Sequence, residues 1–130
     1  MTSPLVCIID DDAGMRTSLD GLIRSLGYRS MCFACAEDFL ESAAIEESAC
    51  IVADVQMREI SGVELCWMVQ ERYRNQNGVP VILISAFCDD RMRAGAKAAG
   101  AIVLLRKPFD GDELVGFIEQ AILVGHTRHS

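Results

Sequence analysis

The sequence predicts an α/β protein built on a doubly wound sheet of five parallel strands. Three observations carry this. Short apolar runs alternate with stretches of helical periodicity five times along the chain. The runs are continuous rather than alternately apolar and polar, as in a parallel sheet covered on both faces. Connections are short, and no repeat, low-complexity run or linker divides the 130 residues, so one core of ordinary domain size is expected over 1–130. Right-handed crossovers leave few layouts, and the strand order 2-1-3-4-5 is the common one for five strands.

Leu5 to Ile9 is the first apolar run, bounded by charge. Met15, Leu19, Leu22, Ile23 and Leu26 then recur at helical spacing from Ala13, and Gly27 supplies the stop. Arg29 to Ala34 reads as a second strand, less apolar and so nearer an edge. A short helix follows from Ala36 with Phe39 and Leu40 inward, ended by the polar Glu46-Glu47-Ser48. Cys50-Ile51-Val52-Ala53, closed by Asp54, is the third strand. A helix opening at Gly62 would place Leu65, Met68, Val69 and the aliphatic stem of Arg72 on one side, and Asn75 to Gly78 is a loop by composition. Val79 to Ile84 is the fourth strand, with Pro80 where a missing donor is tolerated. Asp89 to Ala99, rich in Ala and interrupted by Gly95, is expected to be the least stable helix. Ile102 to Leu105 is the fifth strand. Asp110 and Glu113 form a capping-box pair for a last helix with Leu114, Phe117, Ile118, Ala121 and Ile122 inward. Gly125 should end it, with 124–130 a polar tail.

With 51% hydrophobic and 24% charged residues, a folded chain is expected rather than a disordered one. A net charge of -7 argues against nucleic-acid binding by this domain, since phosphate-backbone affinity rests on Lys and Arg. The run Leu5 to Ile9 is too short for a signal peptide, and no stretch approaches the roughly 20 apolar residues of a membrane span. Cys7, Cys32, Cys35, Cys50, Cys66 and Cys88 fall mostly in apolar segments, as small buried hydrophobes in a reducing compartment do. The expected location is the cytoplasm. Cys32-Phe33-Ala34-Cys35 has CxxC spacing but no second pair to complete a zinc site, so ordinary packing is preferred to a metal or redox role.

Asp54 stands out because strand interiors disfavour Asp, while carboxyl ends of central strands are where open α/β sheets bind ligands. A turn residue is the plain alternative. The strand order, however, sets strands one and three side by side, so Asp10, Asp11 and Asp12 lie beside Asp54. Helix capping accounts for Asp12 alone. Like charges so placed are costly, and a divalent cation resolves the repulsion: Mg2+ takes oxygen ligands, commonly one or two carboxylates with waters and a phosphate. Ser85, ending strand four, and Lys107, following strand five, point to the same rim. Either residue alone is unremarkable, the one a strand-end hydroxyl and the other a solvated turn cation. Together with a metal-loaded carboxylate they form a phosphoryl-binding constellation.

These stretches, Ile8 to Asp12, Ala53 to Met57 with Ser61-Gly62, Ile84-Ser85-Ala86 and Lys107-Pro108-Phe109, resemble the receiver domains of two-component response regulators over essentially the whole chain. The resemblance implies a flavodoxin-like receiver fold with Asp54 as phosphoacceptor for a histidine kinase or phosphotransfer protein. It implies Mg2+ held directly by Asp11 and Asp54, by the backbone carbonyl of Gln56 as a third ligand, and by Asp10 through water. Ser85 would be the switch hydroxyl, Lys107 the partner of the phosphoryl group, and the Lys107-Pro108 peptide cis. Gly27-Tyr28 and Ala36 to Leu40 resemble receivers attached to helix-turn-helix transcription factors. The tail then fits either a free-standing receiver or the start of a linker to an output domain.

Two positions depart from the family's pattern. Arg58 stands where Pro is usual, freeing the loop from a fixed φ and bringing a cation near the site. Leu104 stands where an aromatic switch is frequent and cannot signal by swinging a ring, so movement of Ser85 is expected to act by repacking the helix Asp89 to Ala99 against Leu104. The basic face of Arg91, Arg93, Lys97 and Arg106 would pair with Asp112 or Glu119 of a second copy in a phosphorylation-promoted dimer; a solvated face is the competing reading. Among other functions, a dehalogenase-type phosphatase needs a second Asp as general acid where Gln56 stands. A flavodoxin-like FMN carrier would meet repulsion from Asp10-Asp11-Asp12. The nearest rival is a receiver-fold interaction module that works without phosphorylation.

Overall fold

The computed structural model describes residues 3–73 and 78–128. Its strands are β1 (Leu5–Ile9), β2 (Arg29–Phe33), β3 (Ser48–Asp54), β4 (Val81–Ser85) and β5 (Val103–Arg106). Its helices are α1 (Ala13–Ser25), α2 (Ala36–Glu41), α3 (Ala44–Glu47), α4 (Gly62–Arg72), α5 (Asp90–Ala98) and α6 (Gly111–Arg128). The strands form one sheet in the order β2-β1-β3-β4-β5, every pairing parallel, as the alternation of runs and helices predicts.

Period-two alternation divides the core. On one face Leu5, Cys7, Ile9, Ile51, Ala53 and Leu83 meet Phe39, Ile45, Leu65 and Val69 from α2, α3 and α4. On the other, Val6, Ile8, Val52, Ile82 and Ile84 meet Leu19 and Ile23 of α1 and Leu114 and Ile118 of α6. Because β1 and β4 are buried along their whole length, they carry no polar face. β2, at the edge, is partly exposed. The rings of Phe33 and Phe39 meet edge to face at 5.3 Å, which seats α2 against that edge.

Six local expectations are corrected. The helix from Ala36 stops at Glu41, where Ser42 turns extended, and a separate turn, α3, follows. Ser48 belongs to β3, pairing with Leu5 while its hydroxyl donates to the Ala44 carbonyl at 2.8 Å. In α4 the inward residues are Gly62, Leu65, Cys66 and Val69, whereas Met68 is 45% exposed and Arg72 exposed. Gly62 sets that phase, since its α-carbon packs on the backbone of Asp54 and Val55. The reciprocal capping box lies at Ser61 and Glu64, while Asp110 Oδ1 accepts from the Asp112 N–H at 3.0 Å. Gly125 does not end α6, whose helical backbone runs to Arg128; a helix tolerates one Gly at about 1 kcal/mol. Residues 75–77 of the expected loop and 129–130 of the expected tail lie outside the described residues. Finally, only Cys7, Cys50 and Cys66 are buried; Cys32 is exposed and Cys35 and Cys88 are intermediate.

Candidate functional site

Each polar residue at the rim hangs from an extension of the sheet ladder. The Asp10 N–H donates to the Phe33 carbonyl at 3.1 Å, the Val55 N–H to Ile84 at 2.8 Å just past Asp54, and the Lys107 N–H to Ser85 at 2.8 Å. Ladder bonds therefore fix the backbone from which Asp10, Asp54, Ser85 and Lys107 project. The Lys107-Pro108 peptide is cis, as the resemblance implies.

The three acids of the first loop divide their work. Asp12 is the N-cap of α1, its Oδ1 accepting from the N–H groups of Gly14 at 2.8 Å and Met15 at 3.4 Å. Asp10, Asp11 and Asp54 each bring a carboxylate oxygen to within 4.8 Å of the others. Asp10 is 1% and Asp54 6% exposed, while Asp11 faces solvent. Lys107 Nζ lies 3.3 Å from Asp54 Oδ2 and 3.6 Å from Asp10 Oδ2, so one ammonium serves two of the three carboxylates. Burial pushes the Asp54 carboxyl above its ordinary range and the Asp10 charge adds to this, while Lys107 and the Gln56 N–H oppose it. Hard oxygen donors, short mutual spacing and excess negative charge fit a hard divalent cation such as Mg2+.

Ser85 is fully buried. Its hydroxyl donates to Gln56 Oε1 at 3.1 Å and accepts from the Phe87 N–H at 3.0 Å. The Gln56 N–H in turn donates to Asp54 Oδ1 at 3.3 Å. Asp10, Asp11, Asp54 and Lys107 are thus gathered at one mouth, and Ser85 reaches it through Gln56. Arg58 is exposed, and Leu104 is packed in the core with Leu83, Ala96 and Ala99.

Three features of the site escape sequence reading. Arg16 donates from its guanidinium to the Asp10 carbonyl at 2.7 Å, bracing the first loop from α1; its only sequence signal is a position one helical turn into α1. The Gln56 side chain engages Ser85, which spacing does not reveal. Gly62 has no room for a Cβ, which would drive into the Asp54 carbonyl oxygen and come within 3.0 Å of Val55 Cα. Cys32 and Cys35 are free thiols, and burial and the Asp20 charge push the Cys32 thiol up, away from the thiolate that redox or metal chemistry needs.

Comparison with known proteins agrees with this geometry. Residues 6–119 match the family described as the response regulator receiver domain. The response regulator protein TodT of Pseudomonas putida is 32% identical over 126 residues, covering 97% of this chain and 54% of TodT. The transcriptional regulatory protein FixJ of Bradyrhizobium diazoefficiens is 34% identical over 117 residues, 90% of this chain and 56% of FixJ. The chain therefore spans about half the length of these relatives. Among solved structures, that of the response regulator StyR superposes with a TM-score of 0.87 at 36% identity, over 98% of this chain and 63% of StyR. The chemotaxis protein CheY4 of Vibrio cholerae, at 22% identity and a TM-score of 0.83 over 92% of this chain and 99% of that one, shares the fold.

Proposed function

The chain belongs to the response regulator receiver family, and we propose that it accepts a phosphoryl group on Asp54 from a histidine kinase or phosphotransfer protein. On this reading residues 1–130 are one cytoplasmic receiver whose conformational switch controls an output, transcription, through a further domain. FixJ, by its description a transcriptional regulator, supports the output. The observation that carries the reading is the cluster of Asp10, Asp11 and Asp54, two of them paired with the Lys107 ammonium, at the carboxyl edge of the sheet.

Asp11 and Asp54 would hold Mg2+ directly, with the Gln56 backbone carbonyl as third donor and Asp10 acting through water. When bound, the ion supplies neutralisation of the negative charge that gathers on the transferring phosphoryl oxygens. An Asp54 carboxylate oxygen attacks the phosphorus of a phosphohistidine; the P–O bond forms as the P–N bond breaks, and its electron pair leaves on the imidazole nitrogen. Lys107, already 3.3 Å from Asp54, then pairs with a phosphoryl oxygen, and Ser85 donates to another. Taking a switch from mostly inactive to mostly active needs about 5.5 kcal/mol of differential binding. Two charge-assisted hydrogen bonds of about 1.5–3 kcal/mol each supply most of it. The chemistry is confined to gain and loss of the phosphoryl group at Asp54, with no external substrate turned over.

The test is incubation with Mg2+ and acetyl phosphate followed by intact mass measurement. One phosphoryl mass is expected on the wild type and none on Asp54→Asn. No gain, or a gain that survives the substitution, defeats the proposal in favour of a phosphorylation-independent interaction module. The switched form is further proposed to dimerise through α5, β5 and α6. The exposed Arg91, Arg93, Lys97 and Arg106 complement the exposed Asp112 and Glu119. Sedimentation of the phosphorylated chain as a monomer at high concentration would overturn the dimer.

A further inference from the structure

We propose that the side chain of Gln56 is a latch on Ser85, competing with the phosphoryl group for the single proton the Ser85 hydroxyl can donate. The inference rests on the phosphoacceptor reading of Asp54 and adds a residue that sets how readily the phosphorylated site closes. A hydroxyl has one O–H. Here that O–H is committed to Gln56 Oε1 at 3.1 Å, while the oxygen accepts from the Phe87 N–H at 3.0 Å. Serving a phosphoryl oxygen on Asp54 therefore requires Ser85 to give up Gln56.

The geometry limits how this happens. Ser85 ends β4 in register with Arg106, and its carbonyl accepts from the Lys107 N–H at 2.8 Å. Its backbone is held, which leaves rotation about χ1 as the route for the hydroxyl. Gln56 is tethered to the phosphoacceptor itself, its N–H donating to Asp54 Oδ1, so a change of charge at Asp54 and the position of the latch share one loop. The groups released by rotation can be rehydrated: Gln56 is exposed and Phe87 is 68% exposed. Release thus exchanges ordinary hydrogen bonds for bonds to water rather than leaving a buried unsatisfied group, which makes the latch reversible. One net hydrogen bond corresponds to about a three- to tenfold change in affinity.

The test titrates the whole chain with beryllofluoride, a phosphoryl mimic, at saturating Mg2+ by calorimetry. Gln56→Leu, and Gln56→Ala as a second variant, are expected to tighten binding about three- to tenfold; Gln56→Glu, a stronger acceptor, weakens it. In a Ser85→Ala background, which has no proton to compete for, the Gln56→Leu gain disappears. This non-additivity separates a latch from a merely altered loop. Equal or weaker binding by Gln56→Leu, or the same gain with Ser85→Ala, overturns the latch and leaves the phosphoacceptor reading standing. A wild-type chain that neither binds beryllofluoride nor is labelled by acetyl phosphate overturns that reading and the latch with it.

Discussion

Replacing Asp54 by Asn should stabilise the metal-free fold. Asp54 is 6% exposed and has the carboxylates of Asp10 and Asp11 within 4.8 Å. At that distance and an effective dielectric of about 20, each repels Asp54 by about 3.5 kcal/mol, less for Asp11, whose charge is screened by solvent. Lys107 at 3.3 Å returns about 5 kcal/mol on the same scale. The charge terms come close to cancelling, and the cost of burying the carboxylate, the first cause of its raised pKa, tips the balance against it. The neutral amide removes this balance and keeps an oxygen to accept from the Gln56 N–H. Since the folded state holds the Asp54 pKa above its ordinary 3.8, the folded chain binds the proton more tightly than the unfolded one. Stability is therefore lost as pH rises from 3.8 through the raised value. The advantage of Asp54→Asn is absent below that window and complete above it. Urea unfolding in EDTA at pH 8 and pH 3.5 measures the gap. Mg2+ at a hundred times its Kd would add about 2.7 kcal/mol to the wild type and less to the variant, closing or reversing it. A variant less stable than wild type in EDTA at pH 8, or a gap indifferent to Mg2+, refutes the reasoning.

Three other outcomes follow from the same geometry. Lys107→Met leaves Asp10 and Asp54 without their shared counter-charge and should cost about 3 kcal/mol in EDTA, more at pH 8 than at pH 4, with partial recovery in Mg2+; urea melts in the two buffers check it. Gly62→Ala forces a Cβ against the backbone of Asp54 and Val55, which no rotamer relieves. A loss of about 1–3 kcal/mol in thermal unfolding is expected, with slowed acetyl phosphate labelling. Beryllofluoride should change hydrogen exchange in α5, and unchanged protection there would sink the idea that Ser85 repacks this helix against Leu104.

The sheet was legible because its signal is redundant: four apolar runs and one less apolar edge strand, separated by helical stretches, admit few orders once crossovers are right-handed. Asp10, Asp11, Asp54 and Lys107 were legible for the same reason, since strand order alone puts their strand ends together. Helix phase was not. The sequence offers Met68 and Arg72 as easily as Cys66 for the inner face of α4, and the choice is made by a tertiary contact, the approach of Gly62 to the Asp54 backbone. The Ser61-Glu64 capping box had its full S-x-x-E signature, yet the Asp110-Glu113 pair offered the same spacing at another helix start. The split of α2 from α3 depends on Ser42 taking an extended ψ of 150°, which no residue preference dictates. Side-chain partnerships such as Arg16 with the Asp10 carbonyl leave no periodic trace.

The same contrast bears on Leu104. Leu104 is held by Leu83, Ala96 and Ala99 in the core, so strand five offers no mobile ring to register a change at Asp54. What does lead away from the site is the short connection after Ser85. The Ser85 hydroxyl holds the Phe87 N–H, and two residues on, Asp89 caps α5 by accepting from Met92 at 2.7 Å. That helix is anchored by little: within it Ala96 is buried, with Ala99 just beyond and Met92 partly covered. Burial of two methyl groups adds little hydrophobic stabilisation beside the fully buried Leu and Ile side chains of the sheet, each worth about 1.5–3 kcal/mol. On the proposed reading, a rotation of Ser85 that releases Phe87 would therefore act on this weakly held helix over a short covalent path, and an aromatic switch on β5 would not be required for the message to leave the site.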